Sequence, residues 1–173
     1  MKPLIQKIKT GILTPLNFLA NPLEKLWFNE KDIDYLDLFP PIFIIGSPRS
    51  GTTVLYQLLC KHLKFGYINN FVSNWPKAPL TATKLYRRFS KNSNPIDLNS
   101  EFGNSSYMSG PSEYGEFWYR WFERSHNFKP HNSNAKKLRI EIAGLTKIHN
   151  RPLIFKNVVH SMRILALKKV FHK

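Results

Sequence analysis

The chain has 173 residues, of which 26 are Lys or Arg and 11 are Asp or Glu, so its formal net charge is +15 with His counted as neutral. This length fits one domain, or one domain with an appendage, and 42% hydrophobic with 14% aromatic residues excludes intrinsic disorder. The single cysteine, Cys60, excludes an intrachain disulfide framework and a cysteine zinc cluster. What remains is a soluble, basic globular protein with an anionic partner.

Residues 1–40 are predicted to form an N-terminal helical arm that packs on the domain. Lys2, Lys7 and Lys9 precede an apolar stretch that prolines and polar residues interrupt. No run approaches the ~20 apolar residues of a membrane span, and there is no signal-peptide core. We therefore expect a cytoplasmic chain, with a peripheral membrane contact through this arm as the alternative.

The arm is followed by the pattern of an α/β domain. Ile42–Ile45 is a short apolar run between turn residues, which predicts a strand buried on both faces of a parallel sheet. Residues 46–51 form a loop, and residues 52–63 have the spacing of a helix that Gly66 ends. Strand, glycine-containing loop and helix make up the first half of a βαβ unit.

The same signals predict further elements downstream. Pro at the first position and Glu113 in the first turn predict a helix over Pro111–Arg124. Its stripe of aromatic residues has three-four spacing and is predicted to be core rather than an acceptor pocket: Tyr114, Phe117, Trp118, Trp121 and Phe122. Other predicted elements are a short strand at 65–69, a helix near 81–89, a helix at 138–148, a strand at 153–155 and a basic amphipathic helix at 158–172.

Residues 46–53, Gly-Ser-Pro-Arg-Ser-Gly-Thr-Thr, have the spacing of a P-loop. In the loop that binds ATP or GTP, Lys and Ser/Thr follow the second glycine, but here Thr52 stands at the Lys position and the cation is Arg49. Backbone N–H groups of such a loop, with the positive end of the next helix, cradle a phosphate. The loop has no such Lys, and the chain has no clear Walker-B acid. It therefore lacks two of the groups on which hydrolysis of a Mg-nucleotide usually depends.

The segment from Ile42 to Thr53 resembles the 5′-phosphosulfate-binding motif of sulfotransferases that use 3′-phosphoadenosine 5′-phosphosulfate (PAPS). Two later features fit the bacterial-type and Golgi-like branches of that family: an acidic helix at 110–117, and a strand that ends in Lys156 and runs into a helix. The resemblance implies an α/β, P-loop-like three-layer fold over residues 41–173, with a central parallel sheet and flanking helices. The irregular segment 70–135 would then lie on the acceptor side.

The resemblance also implies roles for single residues. Arg49 would bind the 5′-phosphosulfate and stabilise charge on the bridging oxygen as the sulfuryl group leaves. Lys156 would contact the sulfate or the bridging oxygen. PAPS would be the co-substrate, no metal is implied, and the phosphate would be held by Pro48, Arg49, Ser50, Gly51, Thr52 and Thr53.

Sulfuryl transfer to a hydroxyl or amine needs a base that takes the proton of the acceptor. Cytosolic sulfotransferases have a His two residues after the strand Lys, whereas this chain has Val158 there. Golgi-like and bacterial relatives often use a Glu, for which Glu116 is the first candidate and Glu113 the second. His160 is a further candidate. The alternative for Glu116 is a surface ion pair with Arg120, four residues further on.

The family closes its donor site with a later strand, followed by an Arg and a Ser that bind the 3′-phosphate. That element would follow residue 172, so the resemblance implies a domain that is incomplete at its C-terminus, with weak donor binding and little or no activity in this 173-residue chain. An unpaired sheet edge would also favour association.

Two other function classes compete with this interpretation. The basic residues between Lys136 and Lys173 are typical of a nucleic-acid-binding module, although no helix-turn-helix, RNP motif or zinc spacing accompanies them, and no nucleic acid is expected as a partner. A P-loop nucleotide kinase would have a similar loop, but the missing loop Lys counts against it. Carbohydrate, lipid and small-alcohol acceptors all remain open.

Overall fold

The structure is a computed structural model that describes residues 20, 22–90, 100–101, 104–105, 107–122 and 132–171. Its elements combine helices with a small parallel sheet, which confirms a mixed helix and strand fold. After residues 22–26, which are helical, and a 3₁₀-helix at Glu30–Asp34, the order is α1 (Tyr35–Leu38), β1 (Ile42–Ile44), α2 (Thr52–His62), α3 (Asn70–Ser73), α4 (Pro79–Phe89), β2 (Ser100–Glu101), β3 (Asn104–Ser105), α5 (Gly115–Trp121), α6 (Asn132–His149), β4 (Ile154–Lys156), a second 3₁₀-helix (Val158–Arg163) and α7 (Ile164–Phe171).

The parallel pairing of β1 with β4 positions the site. Ile42 lies opposite Ile154, and Ile44 lies opposite Lys156. On the other edge of β4, Gly66 forms a parallel bridge with Leu153, which is all that the structure shows of the strand predicted at 65–69. Because parallel strands end at the same edge of a sheet, the loop after β1 and the last residue of β4 come together.

The prediction that β1 is buried on both faces is wrong. Ile44 is buried, but Ile42 and Ile45 are exposed. Among the described residues only β4 pairs with β1, and Ile45 faces a groove of about 260 Å³ that α7 lines with Ile164 and Leu167. One side of the strand is therefore open within the part of the chain that the structure describes.

The predicted aromatic stripe of α5 lies in the core, as expected. Tyr114, Phe117, Trp118 and Phe122 are buried, and Trp121 is partly buried. The indole of Trp118 packs edge-on against the rings of Phe155 at 5.2 Å and Phe43 at 5.8 Å between centroids. This cluster joins α5 to both strands of the parallel sheet.

The bounds of two helices differ from the prediction. The helix predicted from Pro111 begins at Gly115, because Pro111 bridges to Asn69 and Tyr114 has a left-handed backbone with φ of 53°. The helix predicted at 158–172 begins as a 3₁₀-helix and becomes α-helical at Ile164. The side chain of Asn157 caps its start by accepting a hydrogen bond from Val159 N at 2.9 Å.

The described part of the arm is fixed to the start of α4 by Glu24. Its buried carboxylate accepts hydrogen bonds from Leu80 N, from Thr81 N and from the Thr81 hydroxyl, each at 2.8 Å. Burial raises the pKa of Glu24, although these hydrogen bonds act in the opposite direction. Residues 1–19 of the predicted arm lie outside the described residues, and within the described ones no helix has the length and apolarity needed to cross a bilayer.

Candidate functional site

The loop between β1 and α2 is a tight turn that its own residues stabilise. Ser47 O accepts a hydrogen bond from Ser50 N at 3.3 Å and another from the Ser50 hydroxyl at 2.7 Å. Arg49 and Gly51 both have left-handed backbones, with φ of 66° and 78°, a conformation that glycine adopts without strain. A Cβ on Gly46 would lie 2.6 Å from Thr52 Cγ2, so this position also needs glycine.

The start of α2 faces this loop without a capping side chain. Gly51 is its N-cap residue, no side chain caps it, and its first turn contains no acidic residue. Unsatisfied N–H groups and the positive end of the helix dipole therefore lie beside the hydroxyls of Thr52 and Thr53. With the exposed Arg49 at the tip of the loop, this arrangement can hold an anion.

Lys156 connects the end of β4 to this loop. Its side chain is buried, and Nζ donates a hydrogen bond to Thr53 Oγ1 at 3.0 Å and a second, charge-assisted one to the carboxylate of Glu113. Asn157 Nδ2 also donates to the backbone carbonyl of Glu113 at 3.3 Å. A cation, a hydroxyl and a carboxylate from three separate segments thus lie together at the carboxyl edge of the sheet.

The structure brings Glu113, not Glu116, into this cluster. Glu113 precedes α5 with 32% of its side chain exposed, and it contacts Lys156. Glu116 is exposed in the first turn of α5. A helix over Pro111–Arg124 would contain both residues, but the left-handed backbone of Tyr114 separates Glu113 from α5.

The third candidate base, His160, lies in the aromatic core. It is fully buried and packs edge-on against Trp118 at 4.7 Å and Phe43 at 5.4 Å between ring centroids. Burial lowers its pKa to about 3, with a smaller contribution from the positive charge of Arg163. A neutral, buried imidazole cannot reach an acceptor in solvent.

Arg120 forms an ion pair with Glu141 of α6. Trp121 Nε1 donates to the same Glu141 oxygen at 3.0 Å, and the guanidinium of Arg120 lies 4.7 Å from the centre of the Trp121 ring. Glu141 is fully buried. Sequence analysis did not select it, although one acid among the apolar residues of α6 was the available signal.

Glu141 makes the stability of the protein depend on pH. Burial raises its pKa to about 7, although Arg120 lowers it. The folded state then binds this proton more tightly than the unfolded state, so the contribution of Glu141 to the free energy of unfolding falls as pH rises from 4.5 to about 7. We expect Glu141→Gln to remove this pH-dependent contribution to the free energy of unfolding. Urea unfolding of the wild type and the variant across that pH range measures it.

The comparison with the variant is needed because two histidines, the partly buried His149 and the buried His160, act in the opposite direction. Burial lowers the pKa of His149 to about 4 and that of His160 to about 3, so they increase stability as pH rises toward 6.5. Both histidines are present in wild type and variant, and their effect cancels in the difference. A difference in unfolding free energy that stays constant with pH would contradict the prediction.

Comparison with models of known protein families gives a match. The family model described as "Sulfotransferase family" matches residues 40–173. That range includes the loop, Glu113 and Lys156, and it covers more than half of the chain. The search of curated proteins and the search of solved structures give no significant match. The chain belongs to the sulfotransferase family.

Proposed function

We propose that the protein transfers a sulfuryl group from PAPS to a hydroxyl or amine acceptor. Membership of the family supports sulfuryl transfer in general. The observation that carries the proposal is the meeting of Lys156, Thr53 and Glu113 beside the loop at residues 46–51. These residues would supply three parts that the reaction needs: a binding site for an anion, a cation near the reacting sulfur and a carboxylate that can take a proton.

The loop would bind the 5′-phosphosulfate of the donor. Backbone N–H groups of residues 51–53 and the hydroxyls of Thr52 and Thr53 are suited to the phosphate, and Pro48 restricts the backbone of the turn. Arg49 and Lys156 would stabilise the negative charge that develops on the bridging oxygen as its bond to sulfur breaks.

Glu113 would act as the base. Lys156 binds one oxygen of its carboxylate, and the side chain is partly exposed, so the other oxygen can take the proton of an acceptor. The acceptor oxygen or nitrogen forms the new bond to sulfur, the sulfur–bridging-oxygen bond breaks, and adenosine 3′,5′-bisphosphate leaves with the electron pair. This assignment prefers Glu113 to Glu116 because Glu113 contacts Lys156 at the end of β4.

The proposal extends to the organisation of the chain. Residues 41–173 would form a P-loop-like three-layer domain, with residues 1–40 as a helical arm and residues 70–135 on the acceptor side. We place the protein in the cytoplasm, where the unpaired Cys60 would stay reduced.

Calorimetry with the purified chain tests the proposal. We expect adenosine 3′,5′-bisphosphate to bind more tightly than Mg-ATP or a DNA duplex, and Arg49→Ala to weaken that binding by ~10- to 100-fold, the range for a charged hydrogen bond. Arg88→Ala removes the same charge from the exposed end of α4 and is the matched control. Equal or tighter binding of ATP or DNA, unaffected by Arg49→Ala, would contradict the proposal, whereas transfer of labelled sulfate to an acceptor would support it directly.

Lys156→Met is expected to weaken binding of the bisphosphate by ~10- to 100-fold. The change removes a buried cation and leaves the carboxylate of Glu113 unpaired beside the phosphate site, so that repulsion adds to the lost attraction. Calorimetry measures the effect, and adding Glu113→Gln to Lys156→Met should restore part of the affinity. Lys136→Met removes an exposed Lys that pairs with Glu30 and should change the affinity by less than about twofold. A folded Lys156→Met variant that binds as tightly as the wild type would contradict the assignment.

A further inference from the structure

A second concave site lies between the described part of the arm, α5 and α6. It is a cavity of about 690 Å³, within the usual ~300–1,000 Å³ of small-molecule sites. None of the residues of the loop at 46–53 lines it, and neither do Glu113 and Lys156. The site proposed for sulfuryl transfer does not account for it.

The rim of this cavity is positively charged. Lys25, Lys77 and Lys137 line it, and all three are exposed. In the part of the chain that the structure describes, none of them forms an ion pair with a carboxylate. Of the two acids in the lining, Glu24 is hydrogen-bonded to the start of α4 and Glu141 is paired with Arg120. The rim therefore has an excess of positive charge and favours an anion.

The floor of the cavity presents a fixed guanidinium and aromatic surface. Arg120 is held by Glu141 and lies over the rings of Phe117 and Trp121 at 5.0 and 4.7 Å, and about a quarter of its side chain remains exposed. A guanidinium fixed in advance loses little freedom when it binds an anion. Trp121, together with Phe28 in the wall, provides partly exposed rings against which a flat molecule can stack.

We propose that this cavity is a second ligand site, which binds an aromatic molecule carrying at least two negative groups. The ring lies against Trp121 and Phe28, and the negative groups bind Lys25, Lys77, Lys137 and the exposed part of Arg120. Nucleotides and aromatic sulfates or sulfonates share this chemistry. The site does not depend on sulfuryl transfer, and its ligand need not be the donor.

Calorimetry on the full chain at about physiological salt tests the class of ligand. Naphthalene disulfonate has an aromatic ring and two negative groups. Ethane disulfonate has only the negative groups, and dihydroxynaphthalene has only the ring. We expect naphthalene disulfonate to bind at least about tenfold more tightly than either of the others. ADP carries an aromatic ring and two phosphates and is measured in the Arg49→Ala variant to suppress binding at the loop, so its affinity relative to that of naphthalene disulfonate separates a nucleotide from a simple aromatic anion. Ethane disulfonate binding as tightly as naphthalene disulfonate would overturn the proposal.

Paired charge variants test the location. Lys77→Gln combined with Lys137→Gln should weaken binding of naphthalene disulfonate by at least about fivefold. Lys31→Gln combined with Lys136→Gln removes the same charge from exposed residues outside the cavity and should change it by less than about twofold. Arg49→Ala should also leave it unchanged, which separates this site from the donor site. Equal weakening by both Lys pairs would show a general effect of net charge and overturn the proposal.

Discussion

Glu113→Gln is expected to lower the rate of sulfuryl transfer by ~10²- to 10⁴-fold, the usual contribution of a general base. Glutamine has nearly the same shape and can still contact Lys156, but it cannot take the proton of the acceptor. Because slow turnover is expected of this chain, the rate is measured with labelled donor and the protein in excess, and binding of adenosine 3′,5′-bisphosphate is measured in parallel. Binding should be retained, because the variant removes a negative charge from the neighbourhood of the phosphate.

The matched control is Glu116→Gln, three residues further along the chain. Glu116 is exposed in the first turn of α5, and its replacement should change the rate by less than about twofold. Loss of activity in Glu116→Gln with a normal rate in Glu113→Gln would reverse the assignment. Loss of bisphosphate binding in Glu113→Gln would instead show that Glu113 supports the donor site and is not the base.

Trp118→Ala should lower the free energy of unfolding by ~3–5 kcal/mol, the range for removing a large aromatic side chain from a core. The indole is fully buried and contacts Phe43 of β1, Phe155 of β4 and His160. Its removal leaves a cavity between β1, β4 and α5. The protein could close this cavity only by moving all three elements. Chemical denaturation followed by circular dichroism measures the change.

Leu165→Ala serves as the control for this measurement. Leu165 belongs to α7, and 83% of it is exposed, so its replacement should change the unfolding free energy by less than ~0.5 kcal/mol. A loss below ~1.5 kcal/mol for Trp118→Ala would contradict the packing described for α5. A variant too unstable to purify would be consistent with it, and the milder Phe155→Leu would then provide the measurable intermediate.

Local sequence patterns were sufficient to predict the β1–loop–α2 unit and the buried face of α5. The β1–loop–α2 unit follows from a run of apolar residues, a glycine loop and helical spacing within about twenty residues, and all three elements are present. The aromatic stripe of α5 was also predictable, because three-four spacing fixes which side chains share a helix face. These features depend on backbone geometry that neighbouring residues set.

Long-range contacts determined what the sequence analysis missed. The left-handed backbone of Tyr114 accompanies the bridge between Pro111 and Asn69, a contact that no local pattern shows. It moves Glu113 off the helix and toward Lys156. The pair between Arg120 and Glu141 likewise joins two helices separated along the chain, and no local pattern shows it.

The hydrogen bonds of Glu24 extend the folded domain to residues before the family match. The family match begins at residue 40, yet Glu24 satisfies the first N–H groups of α4, and Asp32 and Glu30 pair with Lys147 and Lys136 of α6. A chain shortened to the matched residues would leave the start of α4 without its carboxylate and would remove one wall of the cavity beside α5. A boundary set by sequence similarity thus cuts through these contacts, and residues 40–173 owe part of their stability to residues that precede the matched range.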